Sequence, residues 1–467
     1  MSTRFVTLRR IAILMVASVL AWRVVSIRMS EYQAVRSGES APDKALAWNA
    51  NQPLALYRKS LESLEERPET AQELLRQAYI GNPAAAEPLL AQAALEIKQD
   101  NPQQATALVE HAAKLMPANA RVQQAIAMYW AKEGNLPAAL RHWSQAMTAN
   151  PASSQEIFPI LLKVVESPSR NALKPLAISA PPWWDRFFTM VTRQALDLES
   201  VRALYTFRRA SSSVPLTDEE RNAYIRRLQK EGLTAEAYLT WLSGLSDTDQ
   251  AYLGTIYNGS FELEPTNTGF DWHFYKHDNI SIRTTGTYGI EDKKALRVIF
   301  KRREKPAWRV IYQPLFLDPG VYRASGMVRT DGLDSLGGLK WSVRCTASKP
   351  STLGESERFL GSSEWKRFTF EVQVPGDCPS QELRLMPAGS RDFEHKITGE
   401  IWFDKLAMYK IPKQSATTTE GSQGAAESTE TAIEGAEDAD ESTEPGTEVA
   451  EDAADGIETA PADGGAN

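Results

Sequence analysis

Three tryptophans and two arginines are the residues of this 467-residue chain best suited to chemistry with a ligand: Trp272, Trp308 and Trp341, with Arg309 and Arg344 close to the last two. An indole face stacks on the apolar face of a pyranose ring, and a guanidinium donates to ring hydroxyls. Tyr275, Tyr312, Trp365 and Trp402 enlarge the aromatic set, and Gln313 adds an amide. Strand geometry divides these groups. Trp308, Val310 and Tyr312 would share one face of a strand, and Arg309, Ile311 and Gln313 the other, so only one set lines a given groove.

Catalysis needs converging acid, base or nucleophile groups. The chain holds no Gly-x-Ser-x-Gly, no phosphate-cradling glycine loop and no His-Glu-x-x-His. His273 and His277 lie near Asp271 and Asp278, a spacing that hints at a metal but arises readily by chance in a loop. No pair of carboxylates stands out for glycoside hydrolysis. The expectation is a protein that is not an enzyme.

The elements that must carry these side chains are strands. Near Ser246, Ala and Leu give way to short runs of Thr, Val, Ile, Trp and Tyr bounded by Gly, Pro and Asp. Leu296–Phe300, Trp308–Gln313, Val321–Val328, Leu339–Cys345, Trp365–Val374, Glu382–Met386 and Glu400–Met408 predict a β-sandwich, with a turn at Asp318-Pro319-Gly320. Cys345 and Cys378, the two cysteines, could close one disulfide in an exported chain, and two lone cysteines make no zinc site.

Upstream the pattern is helical and periodic. Pro83, Pro117 and Pro151 lie 34 residues apart, as do Ala71, Ala105 and Ala139, Ala78, Ala112 and Ala146, and the pair Ala93 and Ala127. That period is one helix–turn–helix unit of a solenoid, with small residues allowing close helix approach and proline ending each unit. The repeat resembles the tetratricopeptide family, which implies a scaffold that binds protein segments. Lys59 departs from it, standing where a small residue is expected. From Ala152 to Gly244 the period fades. Thr217 and Glu220 form a helix-start signature, and Trp183–Phe188 is an aromatic run expected to pack in the core.

The segment 253–412 resembles the jelly-roll carbohydrate-binding modules attached to many bacterial glycan enzymes. Asn258-Gly259-Ser260-Phe261-Glu262 with Gly269-Phe270-Asp271-Trp272 is similar to their opening. Gln313-Pro314-Leu315, Glu364–Phe370 and Ile401-Trp402-Phe403-Asp404-Lys405-Leu406 are similar to later strands. The resemblance implies sugar binding and structural roles for Trp365 and Trp402. It also implies a structural calcium, with Glu262 and Asp404 at the positions that supply oxygen ligands.

Arg4, Arg9 and Arg10 precede an apolar run from Ile11 that Arg23 interrupts, which favours an uncleaved anchor with a cytoplasmic N-terminus. A cleaved signal ending at Val19-Leu20-Ala21 is the competing reading. The net charge of −8 is uneven: beyond Pro412 there are fifteen acidic residues and one lysine, no aromatics, and therefore an expected disordered tail. The remaining body is mildly basic without the concentrated stripe that nucleic-acid binding needs.

The expected fold is multidomain. A cytoplasmic segment 1–10 and a membrane helix 11–29 lead into an all-α tetratricopeptide-like solenoid, 30–151, with degenerate helical repeats at 152–246. An all-β jelly-roll sandwich, 253–412, and a disordered acidic tail, 413–467, follow. The expected protein is a non-catalytic, single-pass scaffold of the bacterial inner membrane, mostly periplasmic. Its expected partners are polysaccharide and the proteins of envelope or polysaccharide machinery, in glycan biosynthesis or export. A pure protein-interaction scaffold without sugar binding is the alternative.

Overall fold

The computed structural model describes residues 3–211, 214–289, 293–304, 309–347 and 350–412; Trp308 and the acidic segment 413–467 lie outside the described residues. A helix, Thr3–Val35, opens the chain. Its portion Leu8–Val35 is long and apolar enough to cross a membrane, as a signal sequence or a single anchor would be. Leu14, Val19 and Leu20 stand exposed, whereas Ser26, Ser30 and Ala34 are buried. These three recur every fourth residue and so share one helical face. The Ser30 hydroxyl donates to Ala45 O at 2.8 Å, tying this face to the next helix, Ala41–Trp48.

Three helix pairs follow: Pro53–Ser63 with Pro68–Gly81, Glu87–Lys98 with Pro102–Leu115, and Ala120–Lys132 with Leu136–Ala149. The periodic prolines each sit just past the second helix of a pair, where a missing N–H costs nothing. The backbone N–H of the residue before each proline donates to Ala78, Ala112 and Ala146 in turn, so the repeat alanines also close the helix ends. All three are fully buried, as are Ala71, Ala105 and Ala139. Lys59 does not spoil the first pair: its ammonium reaches out to Asp43 at 2.8 Å while Ala55 and Ser60 take the buried face.

The irregular helices beyond Pro151 enclose the largest aromatic core of the helical region. Trp183, Trp184, Phe187 and Phe188 are all buried, as the run expected. Thr217 and Glu220 form a reciprocal capping box at the start of helix Asp218–Lys230. Glu220 also accepts from Arg208 Nε at 2.7 Å, with both side chains fully buried.

Among the described residues the sandwich has ten strands: β1 (His273–Phe274), β2 (Ile280–Thr285), β3 (Ala295–Glu304), β4 (Ile311–Leu315), β5 (Gly320–Ser335), β6 (Leu339–Cys345), β7 (Ser351–Glu355), β8 (Gly361–Val374), β9 (Gln381–Pro387) and β10 (Ile397–Lys410). They form two antiparallel sheets, ordered β1-β4-β9-β6-β7 and β2-β3-β10-β5-β8. From β3 onward the chain passes repeatedly between the sheets, which encloses a core of Phe261, Trp272, Trp341, Phe359 and Phe403. Gly259 is required in the opening loop, because a Cβ there would stand 1.9 Å from Leu406 O.

Helices and sandwich share a core at their junction. Trp241, on helix Thr234–Leu242, packs edge-on against Tyr257 at 5.0 Å and tilts against Phe270 at 5.8 Å. Gly269 adopts φ +56°, and a Cβ there would come within 2.2 Å of Trp241 Cδ1.

Candidate functional site

Alternation along the first sheet sends Ile311, Gln313, Leu383, Leu385, Trp341 and Val343 inward, where all are buried. Their neighbours face outward in cross-strand register. One row runs His273, Tyr312, Arg384, Ser342 and Glu355. The next runs Pro314, Glu382 and Arg344.

The first row carries a stack of rings. His273 lies parallel to Tyr312 with centroids 4.7 Å apart, and Tyr275 stacks beyond at 5.9 Å. The two phenol oxygens are 3.2 Å apart. The Arg309 guanidinium covers the Tyr312 ring at 4.4 Å and donates from Nη2 to Glu382 Oε2 at 2.9 Å. Arg384 Nε donates to the other oxygen of Glu382 at 2.5 Å. Glu382 is therefore a buried carboxylate, 2% exposed, clamped by two guanidiniums. Tyr275 remains 52% exposed, and the Arg309 side chain 58%.

Burial, the Tyr275 hydroxyl and the charge of Glu382 push the Tyr312 phenol well above its ordinary range against the pull of Arg309, so it stays a neutral donor and acceptor. Burial, with Arg309 adding, holds His273 below the usual imidazole value and so neutral near pH 7. An exposed phenol ring beside an exposed guanidinium can stack on a sugar and bond its hydroxyls.

The expected stacking residues fare differently. Trp272 and Trp341 are both 0% exposed, with centroids 5.7 Å apart in the core. Neither offers a face to a ligand, because Trp341 falls on the inward parity of β6 and Trp272 is drawn in by its Nε1 bond to Asn258 O at 3.1 Å. Arg309 and Tyr312, which uninterrupted alternation would separate, come together because β4 begins only at Ile311. Gln313 is occupied in pinning Tyr257, accepting from its N and donating to its O. Arg344 keeps its place on the outer face, half-buried, 3.4 Å from the Thr352 hydroxyl. Trp365 and Trp402 lie on the second sheet: the Trp365 indole donates to Tyr288 O, and Arg329 covers Trp402.

Cys345 and Cys378 are joined as a disulfide, Cα–Cα 5.8 Å, linking the end of β6 to the loop before β9. His277 accepts from Asn279 N, and among the described residues no three His, Cys or acidic side chains gather to hold a metal ion. Glu262 accepts from the backbone of Lys293 and Lys294, and the buried Asp404 from Lys405 N at 2.7 Å. Leu406 N donates to Gly259 O at 2.9 Å, so the segments bearing these carboxylates meet. Carboxylates are the hard oxygen donors that calcium takes, and Glu262 Oε1 already accepts from the Lys293 and Lys294 backbone N–H groups.

Sequence reasoning passed over Glu382 and Arg384. Their signal was the alternation Gln381-Glu382-Leu383-Arg384-Leu385, which points both away from the leucines. A concavity of about 800 Å³ lies in the helical repeats, lined by Leu54, Tyr57, Leu61, Leu90, Arg121 and Val122.

No family model matches this chain, and no curated protein matches it. Among solved structures, the sandwich is similar to a CBM4 module at 15% identity, covering 33% of this chain and 99% of that one, TM-score 0.25. It is also similar to the CBM22-1 xylan-binding domain of Paenibacillus barcinonensis Xyn10C at 13% identity, covering 33% of this chain and 94% of that domain, TM-score 0.24. The helical region is similar to MamA at 14% identity, covering 25% of this chain and 68% of that protein, TM-score 0.21.

Proposed function

We propose that this chain is a non-catalytic, membrane-anchored scaffold whose sandwich binds a glycan and whose tetratricopeptide-like repeats hold proteins. Its setting is the bacterial periplasm, and its work the making, export or retention of a polysaccharide. The observation that carries the reading is the outer face of the first sheet, where the exposed Tyr275 and Arg309 both pack on Tyr312 and Arg309 is held by the clamped Glu382. The groove lined by Tyr57 and Leu90 supports the protein-binding role. Retention of the N-terminal helix as an anchor is supported by Ser26, Ser30 and Ala34, which build its far end into the fold. A calcium between Glu262 and Asp404 belongs to the same proposal.

Affinity electrophoresis of the detergent-solubilised chain through gels containing bacterial polysaccharides tests it. Retardation by at least one polymer, lost in Tyr275→Ala and Arg309→Ala, is the expected result. The second reading, a protein scaffold without sugar binding, is favoured by the burial of Trp272 and Trp341. It gains if the folded chain is retarded by no polymer.

A further inference from the structure

We infer that the ligand of the first-sheet face is an acidic polysaccharide, bearing carboxylates at regular intervals, rather than a neutral glycan. This rests on the glycan-binding reading above and names its substrate class. Four cationic side chains share that face among the described residues: Arg309, Arg384, Arg344 and Lys340. Two carboxylates answer them. Glu382 is used by Arg309 and Arg384, and Glu355 pairs with Lys340 at 2.5 Å. Arg344, directly across from Glu382 on the neighbouring strand, meets no carboxylate among the described residues; its guanidinium makes only the long contact to Thr352. Arg309 keeps most of its guanidinium side chain in solvent although it touches Glu382.

Positive charge is therefore left over where the ring stack would seat a sugar. A guanidinium answers a carboxylate with paired N–H donors in a fixed plane, and such bonds are shorter and stronger than those to hydroxyls. The excess is local. The whole chain carries −8, but the acidic residues beyond Pro412 account for that, and the mildly basic body before them attracts a polyanion diffusely as well. What distinguishes this face is guanidiniums that its two carboxylates do not fully answer, and their attraction is screened by salt to the extent that Arg309 and Arg344 are exposed.

The test uses the full chain in detergent and three acidic polymers, polygalacturonate, alginate and hyaluronate, each beside its carboxyl-reduced form. The expected result is retardation at least about tenfold stronger on one acidic polymer than on its reduced form. Arg344→Gln should abolish the preference, whereas Arg283→Gln, on the second sheet, should keep it. Equal retardation by acidic and reduced forms, unchanged in Arg344→Gln, overturns the acidic assignment while leaving glycan binding intact. Equal loss in Arg283→Gln and Arg344→Gln also overturns it, because the attraction would then be diffuse. Retardation by no polymer, acidic or neutral, overturns the glycan reading itself.

Discussion

Glu382 and Arg309 form an ion pair of 2.9 Å in which the carboxylate is buried and the guanidinium is largely in solvent. The pair fixes Arg309 over Tyr312 from outside the strand, since β4 starts two residues later. A neutral Glu382→Gln side chain keeps the shape and loses the charge. Stability is expected to fall by about 1–3 kcal/mol, the usual loss for a hydrogen bond to a charged group with a buried partner. Glycan affinity should fall with it, because Arg309 is no longer held. Urea denaturation beside affinity electrophoresis checks both; full affinity in a destabilised variant would detach Arg309 from the site.

Trp272 and Trp341 give the converse case. Each is fully enclosed, so truncation leaves a cavity and should cost about 3–5 kcal/mol. Trp272→Phe and Trp341→Phe are expected to lose less stability and to bind ligand like the parent chain. Loss of binding in a folded Phe variant would return these rings to the site.

Much of the fold was legible in the sequence, and for physical reasons. Proline and alanine at a fixed period report helix ends and close packing directly, and β6 spans the same Leu339–Cys345 that alternation marks. The site was less legible. A tryptophan serves core and ligand equally well, and only the parity of β6 decides that Trp341 turns inward. Short edge strands such as β2 and β7 carry few apolar residues and leave little pattern. Arg309 lay beyond strand parity altogether, because its position follows from a bond to Glu382, which is 73 residues away.

Acid should weaken the fold before it protonates the carboxylates. Burial holds His273 and His142 below the ordinary imidazole range, with Arg309 and Arg141 acting in the same sense. Both remain neutral in the folded chain while the unfolded chain takes up protons near pH 6.5. Stability therefore drops as pH falls through that value toward the folded pKa, by at most about 1.4 kcal/mol per pH unit for each histidine. Asp271, pushed up by burial, acts in the opposite sense but lower, in the carboxylate range. Urea midpoints at pH 7.5 and 5.5 measure the slope. His273→Gln should flatten it, and an unchanged slope in that variant would remove His273 from the account.

Calcium is expected to brace the meeting of the first and last segments of the sandwich, where Gly259 O accepts from Leu406 N. Chelation should lower Tm by several degrees and Glu262→Gln should remove that sensitivity. A Tm indifferent to both chelator and added calcium would eliminate the ion.

In the proposed function, glycan meets the chain on the face of Tyr275 and Arg309. Hydroxyl-radical footprinting of the full chain, with and without the polymers used for electrophoresis, measures this most directly, because Tyr275 is exposed and readily oxidised whereas Trp272 and Trp341 are sealed. Protection of Tyr275 on adding polymer, with exposed Tyr409 on the second sheet unchanged, is the predicted result. Tyr275 labelled equally with and without every polymer, or protection confined to Tyr409, would contradict it.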